Sequence, residues 1–245
     1  MTNKASSPSS NRLIVALPEM ERAALCALCE PVALATGDVL SEPGAPMHYA
    51  YFPLSGFVVL ETPLRAPLSL SVAMVGNEGM LGATLALGTR IAPLRARVQI
   101  GGHALRLGAS QLQRELQAHR RLKRMIERYL FVLLTQAPIH AACCHFHEIG
   151  QRLACWLLLA QDRAGGRSFH LTHESLADML GVHRSGVSIA AGLLQREGLI
   201  RYARGEIHLL DRQGLEGASC KCYADLLKGA SRLFPTGKSE PPPLE

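Results

Sequence analysis

The spacing of apolar residues changes several times along the chain, and each change marks an element. The first eleven residues, MTNKASSPSSN, are polar and rich in serine with no apolar stretch, and read as a disordered start that is no signal peptide. PEMERAALCAL then takes helical spacing, with Pro18 near the first helical position. From Val32 to about Leu107, short apolar runs alternate with glycines such as Gly37, Gly44, Gly56, Gly88 and Gly101. Closely spaced turns of this kind predict short strands in a sandwich or barrel over residues 12–109.

At Ser110, read as an N-cap, the period lengthens again, and SQLQRELQAHRRLKRMIERYLFVLLTQA contains neither glycine nor proline. A long helix is predicted over 110–146, with Pro138 kinking or ending it before IHAACCHF resumes. Leu112, Leu116, His119, Lys123, Ile126, Leu130, Leu133 and Ala137 follow a four-three spacing, an imperfect seam with two polar members. The helix exceeds what one small domain covers, and from Tyr129 to Leu134 it is almost wholly apolar, which predicts a symmetric partner helix. No run approaches the roughly eighteen apolar residues of a membrane span, so no membrane is expected as a partner.

Residues 147–217 begin with a further helix, HEIGQRLACWLLLAQD, and a turn at Gly165 and Gly166. LTHESLADMLGVHRSGVSIAAGLLQREGLI then holds two amphipathic runs separated only by Gly181 and Val182. Thr172 caps the first run, Leu176, Ala177 and Leu180 line one face, and Gly181 supplies the left-handed C-cap. The second run buries Val187, Ala190, Ala191 and Leu194, with Ala190, Ala191 and Gly192 permitting close helix approach. His183, Arg184, Ser185 and Ser188 are left exposed at its start. IRYARGEIHLL reads as a hairpin turning at Arg204 and Gly205. Residues 218–245 read as a C-terminal helix and a disordered tail, KSEPPPLE.

The fold class is therefore α+β: an N-terminal β sandwich or barrel, a long helix expected to dimerise and a C-terminal winged helix-turn-helix. That last unit places one helix across the DNA backbone and the start of the next in the major groove. Arg184 suits guanine O6 and N7 there, and serine hydroxyls suit bases or phosphates. Thr172, His173 and His183 stand beside them, and Arg201 and Arg204 of the wing reach backbone or minor groove. The bland alternative is a pair of packed helices with polar outer faces. The charge agrees with an anionic partner: Lys and Arg exceed Asp and Glu by six, mostly in the second half of the chain. Double-stranded DNA is the expected partner.

The order of a Gly-rich β-roll, a long helix and LTHESLADMLGVHRSGVS with a wing resembles the Crp/Fnr family of bacterial transcription regulators over roughly residues 15–217. The resemblance implies a cytoplasmic homodimer joined through the long helix, bound to a two-fold symmetric operator, with RNA polymerase as a further partner. Arg184 matches the family's arginine at the start of the recognition helix. Ser188 matches a serine of the base-reading pattern in the fumarate-nitrate reductase regulator branch. Ser185 stands where many members have Glu, and Ile189 where they have a base-reading Arg, so the usual half-site is not expected.

Residues 76–88, GNEGMLGATLALG, resemble the family's phosphate-binding cassette, and Gly79, Leu81 and Gly82 fit it. The ribose-holding Glu is replaced by Ala83, and the phosphate-neutralising Arg-Ser pair by Leu94 and Arg95. Arg95 or Arg97 reaches an anion only from a shifted register. A cyclic nucleotide is accordingly not expected as a cofactor; another signal at the β-roll, or none, is.

Seven cysteines, two of them adjacent at Cys143 and Cys144, argue against a disulfide framework and for a reducing compartment. Cys26 and Cys29 are too few for the iron–sulfur cluster of the oxygen-sensing members, so no iron–sulfur cluster is expected. In HAACCHFH, His140 and Cys144, like Cys143 and His147, sit four apart with ligand types that suit zinc or copper. This cluster at 140–147 supports the alternative to a DNA-binding regulator: a metal or redox sensor, or a zinc hydrolase built around Cys143, Cys144 and His147. Cys220-Lys-Cys222 is the weaker signal. With no Walker loop, HExxH or G-x-S-x-G, an enzyme is not expected, and no metal ligand is assigned.

Overall fold

The computed structural model describes residues 10–64, 69–164 and 166–231. Residues 1–9, Gly165 of the expected glycine turn and the tail from 232 lie outside the described residues.

The chain is built into the fold earlier than its polar start suggests. Asn11, expected in a disordered stretch, is 1% exposed. Its side chain caps helix α1 (Arg12–Val15) by accepting from the amides of Leu13 and Ile14. Its Nδ2 donates to the carbonyls of Pro53 (3.0 Å) and Gly79 (2.8 Å). Both ends of the amide are satisfied, which permits its burial beside Leu13 and Ile14. Helix α2 (Glu19–Leu28) follows, with Pro18 at its N-cap.

Among the described residues, seven strands form the β-roll: β1 (Glu30–Leu34), β2 (Val39–Ser41), β3 (Tyr49–Pro53), β4 (Phe57–Pro63), β5 (Ser69–Val75), β6 (Arg95–Ile100) and β7 (Gly102–Gly108). They make two antiparallel sheets, ordered β1-β7-β3 and β2-β6-β4-β5. Phe52, Val58, Met80, Leu85, Val98 and Leu107 fill the space between them. The crossing from one sheet to the other depends on glycine. A Cβ on Gly102 would lie 2.3 Å from the Ser55 carbonyl oxygen, and one on Gly56, at φ +68°, equally close to that of Ile100.

The single long helix expected from Ser110 is two. Helix α3 (Ala109–Ala118) is preceded by Gly108, without a side-chain cap, and stops at His119, whose backbone is extended at φ −117° and ψ 93°. Helix α4 (Arg120–Phe146) then runs 27 residues, continuing past Pro138 without ending there. The break has a packing cause. Leu112 and Leu116 of α3, and Leu122, Ile126, Tyr129 and Leu130 of α4, all bury against the β-roll, α3 lying on β3 and β7 and α4 on β5, so the turn at His119 carries the chain from one sheet to the other.

Of the expected four-three seam, Leu112, Leu116, Ile126 and Leu130 are taken up in the chain's own core, and Lys123 and Ala137 are exposed. Further uncovered apolar positions fall outside it: Phe131 (57% exposed), Leu134 (71%), Pro138 and Ala141, with Phe146 at the end. No run of eighteen apolar residues occurs in α4, yet the helix holds an 18-residue window that would suit a membrane span by length and composition, with a mean hydropathy of 1.3. About a third of that window is buried within the protein, against the β-roll and the C-terminal helix.

Beyond the joint at residues 147–148, α5 (Ile149–Ala164) is the central post of the second core, buried continuously from Leu153 to Ala160. Around it stand β8 (Ser168–His170), α6 (His173–Leu180), α7 (Arg184–Arg196), β9 (Ile200–Ala203), β10 (Glu206–Leu209), α8 (Arg212–Ala218) and α9 (Cys222–Ser231). The strands form a small antiparallel sheet ordered β8-β10-β9. The two cores meet directly, since Phe57, Val59 and Met74 of β4 and β5 pack with the side chains of the second.

Candidate nucleic-acid interface

The helix-turn-helix is assembled by local chemistry. Thr172 Oγ1 accepts from the Ser175 amide at 3.1 Å, closing the N-terminus of α6. At the other end Gly181 adopts φ +63°, its amide donates to the Asp178 carbonyl, and the Val182 amide donates to that of Ala177. This paired pattern is a Schellman cap, and it turns the chain into α7 within two residues. Val187, Ala190, Ala191 and Leu194 are buried as expected. Gly192 is not a close-approach position, because a Cβ there would meet nothing within 4 Å. The tight spot is Gly186, where a Cβ would lie 2.9 Å from Ile149 Cδ1 of α5.

On the outer face, His183, Arg184, Ser185, Ser188 and Ile189 are exposed. The Arg184 side chain is 69% exposed and makes a loose ion pair with Glu174 at 3.9 Å. Thr172, His173, Arg184 and Arg204 line one open cleft of about 500 Å³, together with Glu174, Tyr202 and Gly205. Arg204 occupies the wing's tip, where φ +50° followed by +84° at Gly205 makes the two-residue turn that suits a twisted hairpin. Arg201 is exposed on β9.

Two details lay beyond sequence reasoning. The His173 ring stacks on Tyr202 at 4.1 Å and 15°, although the residues lie on different elements. Its Nδ1 is 2.9 Å from Ser188 Oγ, and that hydroxyl also donates to the Arg184 carbonyl at 3.1 Å. Burial first, and the Arg184 charge second, lower the His173 pKa, so the ring acts as a neutral brace for the recognition helix. Among the described residues, the Arg184 head has no ion-pair partner nearer than Glu174.

The chain matches the Crp-like helix-turn-helix domain over residues 151–218. It is 30% identical over 202 residues to the transcriptional regulator SdrP of Thermus thermophilus, covering 76% of this chain and 93% of that one. It belongs to the Crp/Fnr family. Among solved structures, a Crp/Fnr-family regulator of Thermus thermophilus superposes with a TM-score of 0.60 at 26% identity, covering 78% of this chain and 98% of that one. FixK2 from Bradyrhizobium japonicum superposes with a TM-score of 0.67 at 19% identity, with coverage of 78% and 98%, a likeness of fold.

As a Crp/Fnr protein this chain is a DNA-binding transcription regulator, and its β-roll bears the cassette region in a particular form. Gly79 lies under the Tyr129 hydroxyl of α4, which a Cβ would approach to 2.2 Å. Leu81 is buried and exchanges both backbone hydrogen bonds with Tyr51 (3.1 and 2.9 Å). Gly82 takes φ +91° against Ala50, and Ala83 is buried. The two arginines are engaged by carboxylates. Arg97 makes a two-point contact with Glu61 (2.9 and 3.2 Å), and Arg95 binds Glu42 at 2.9 Å with Glu61 at 3.9 Å. Glu61, 1% exposed on β4, is the residue that sequence reasoning missed, because nothing local marks it as buried. The cassette loop also reaches the DNA-binding half, through an ion pair between Glu78 and the buried Arg163 of α5 at 2.8 Å.

The cysteines divide differently from their spacing. Cys26 and Cys29 are partly buried, and burial pushes the Cys29 thiol up to about 12. His140 packs on Trp156, with ring centroids 5.3 Å apart, and Cys144 receives Arg152 Nη2 at 3.3 Å. Cys143 and His147, however, converge with Cys220 and Cys222, all four ligand atoms lying within 4.8 Å of one another. The pair judged weaker from sequence thus completes the cluster.

Proposed function

We propose that this regulator binds a two-fold symmetric operator as a homodimer closed along α4, and that a signal at the β-roll sets its DNA affinity. The observation that carries the DNA reading is the exposed start of α7. Arg184, Ser185 and Ser188 stand clear of the body beside a wing tipped by Arg204, the arrangement a major groove admits. Dimerisation is supported by the uncovered stripe Phe131, Leu134, Pro138 and Ala141. Apolar residues on a helical spacing gain roughly 1.5–3 kcal/mol each on full burial. RNA polymerase is the further partner this reading carries.

Arg95 and Arg97, the arginines nearest the family's phosphate donor, are neutralised by Glu42 and Glu61, and Ala83 offers no ribose acceptor. The reading is therefore of an effector other than a cyclic nucleotide. The route for the signal runs from the cassette loop through Tyr129 to α4 and through Glu78 and Arg163 to α5.

Selection of bound fragments from random duplex DNA tests the proposal. Two inverted half-sites about one helical turn apart should be enriched, with affinity falling steeply as salt rises. Enrichment of a lone half-site, or of nothing, would overturn it. Repeating the selection with added cyclic nucleotides should leave the enrichment unchanged.

A further inference from the structure

Three thiols and one imidazole meet where the long helix ends. Cys143 lies in the last turns of α4, and His147 is the residue on which that helix stops, one turn later. Cys220 and Cys222 flank Lys221 at the start of α9, more than seventy residues further along. Cys143 Sγ and Cys220 Sγ are 3.5 Å apart, and Cys222 Sγ is 3.5 Å from His147 Nδ1. All four cysteines of the neighbourhood, Cys155 included, are free thiols.

These distances fit a metal better than a disulfide or simple packing. A disulfide requires about 2.05 Å between sulfurs. A tetrahedron with zinc–sulfur bonds of about 2.3 Å has sulfur–sulfur edges of about 3.8 Å, and none of the four ligand atoms here is more than 4.8 Å from another. Cysteines buried as small apolar groups are common. That explanation covers Cys155, but it does not place an imidazole nitrogen among three sulfurs. Three thiolates with one histidine are a structural zinc set, and they fill all four positions.

We propose that Cys143, His147, Cys220 and Cys222 form a closed four-coordinate zinc site that fastens the C-terminal helix across the joint between the long helix and the DNA-binding domain. Binding displaces the protons of the three thiols to solvent, while His147 binds as the neutral imidazole. The resulting site carries one net negative charge, which the exposed Lys221 between two ligands offsets. Cys220 also lines an open depression of about 370 Å³, which gives an ion its way in. With no fifth position and with Cys144 turned to Arg152, the site is built to hold an element in place and not to activate water. The zinc hydrolase alternative loses its open coordination site here.

Cobalt titration of the full, reduced chain tests this. One equivalent of Co(II) should produce thiolate-to-cobalt charge transfer and the intense visible bands of a tetrahedral site, and zinc should bleach them. Cys222→Ser and His147→Ala should weaken binding by about a hundredfold or more, whereas Cys144→Ser and Cys26→Ser should bind like the unaltered chain. A wild-type titration without tetrahedral bands overturns the proposal, as does a Cys222→Ser protein with undiminished affinity. So does a chain that takes no cobalt but forms a Cys143–Cys220 disulfide under peroxide. The wild-type titration decides even where a variant fails to fold, and it is independent of operator binding, so either reading can fail without the other.

Discussion

At Arg184 the arginine head is free to donate two parallel hydrogen bonds, whereas the nearby Ser188 hydroxyl is already held by His173 and by the Arg184 carbonyl. The two residues should therefore respond differently to truncation. Arg184→Ala should weaken the preferred operator by about 1–3 kcal/mol and flatten the preference at one base of each half-site, measured by competition binding with single-base variants. An unchanged profile would remove Arg184 from base reading. A second residue-scale effect concerns His140, pushed down to about 4 from 6.5 by burial first and the Arg163 charge second. The folded state holds the neutral ring, so the unfolded chain binds its proton first as pH falls. Stability contributed at neutral pH is lost as pH drops from about 6.5 to about 4, by about 3 kcal/mol. Urea unfolding across this range should show that slope, and His140→Phe should remove it.

At the scale of elements, the parts legible in the sequence are those specified by neighbours along the chain. Thr172, Gly181 and the Arg204–Gly205 turn each act within a few residues of themselves, so α6, α7 and the wing are written in the local order of residues. The β-roll is legible as a texture of glycines and short runs, without its strand order. What the sequence conceals depends on contacts across the chain. The break at His119 passes the chain from β3 and β7, where α3 packs, to β5, where α4 packs. Asn11 is ordered by the carbonyls of Pro53 and Gly79. The partnership of Cys143 and His147 with Cys220 and Cys222 requires α9 to fold back onto α4. The shift of the uncovered stripe from the expected seam gives a direct test. Leu134→Asp should leave the monomer folded, since this side chain is 71% exposed, yet convert a dimer to monomers in sedimentation velocity. Leu130→Asp, in the expected seam but buried, should unfold the chain instead.

For the molecule as a whole, the Glu78–Arg163 ion pair joins the cassette loop to the post of the DNA-binding half, with both side chains largely removed from water. Arg163→Met leaves the Glu78 carboxylate without its cation and should cost about 3 kcal/mol of stability, read from chemical unfolding. If the pair lies on the signal route, the same substitution should also change operator affinity at temperatures where the variant remains folded. Unaltered operator affinity would leave the pair a purely structural bond. The unbroken run of α4 through Pro138 carries a mechanical consequence. From Tyr129, pressed against Gly79, to the end at Phe146 the rod extends about 25 Å. A tilt of only about 5° at the Tyr129 fulcrum would carry the far end about 2 Å, a large part of the ~3.4 Å rise between stacked base pairs. In the proposed homodimer, a lever of this length would turn so small a tilt into a mismatch between two recognition helices and their grooves.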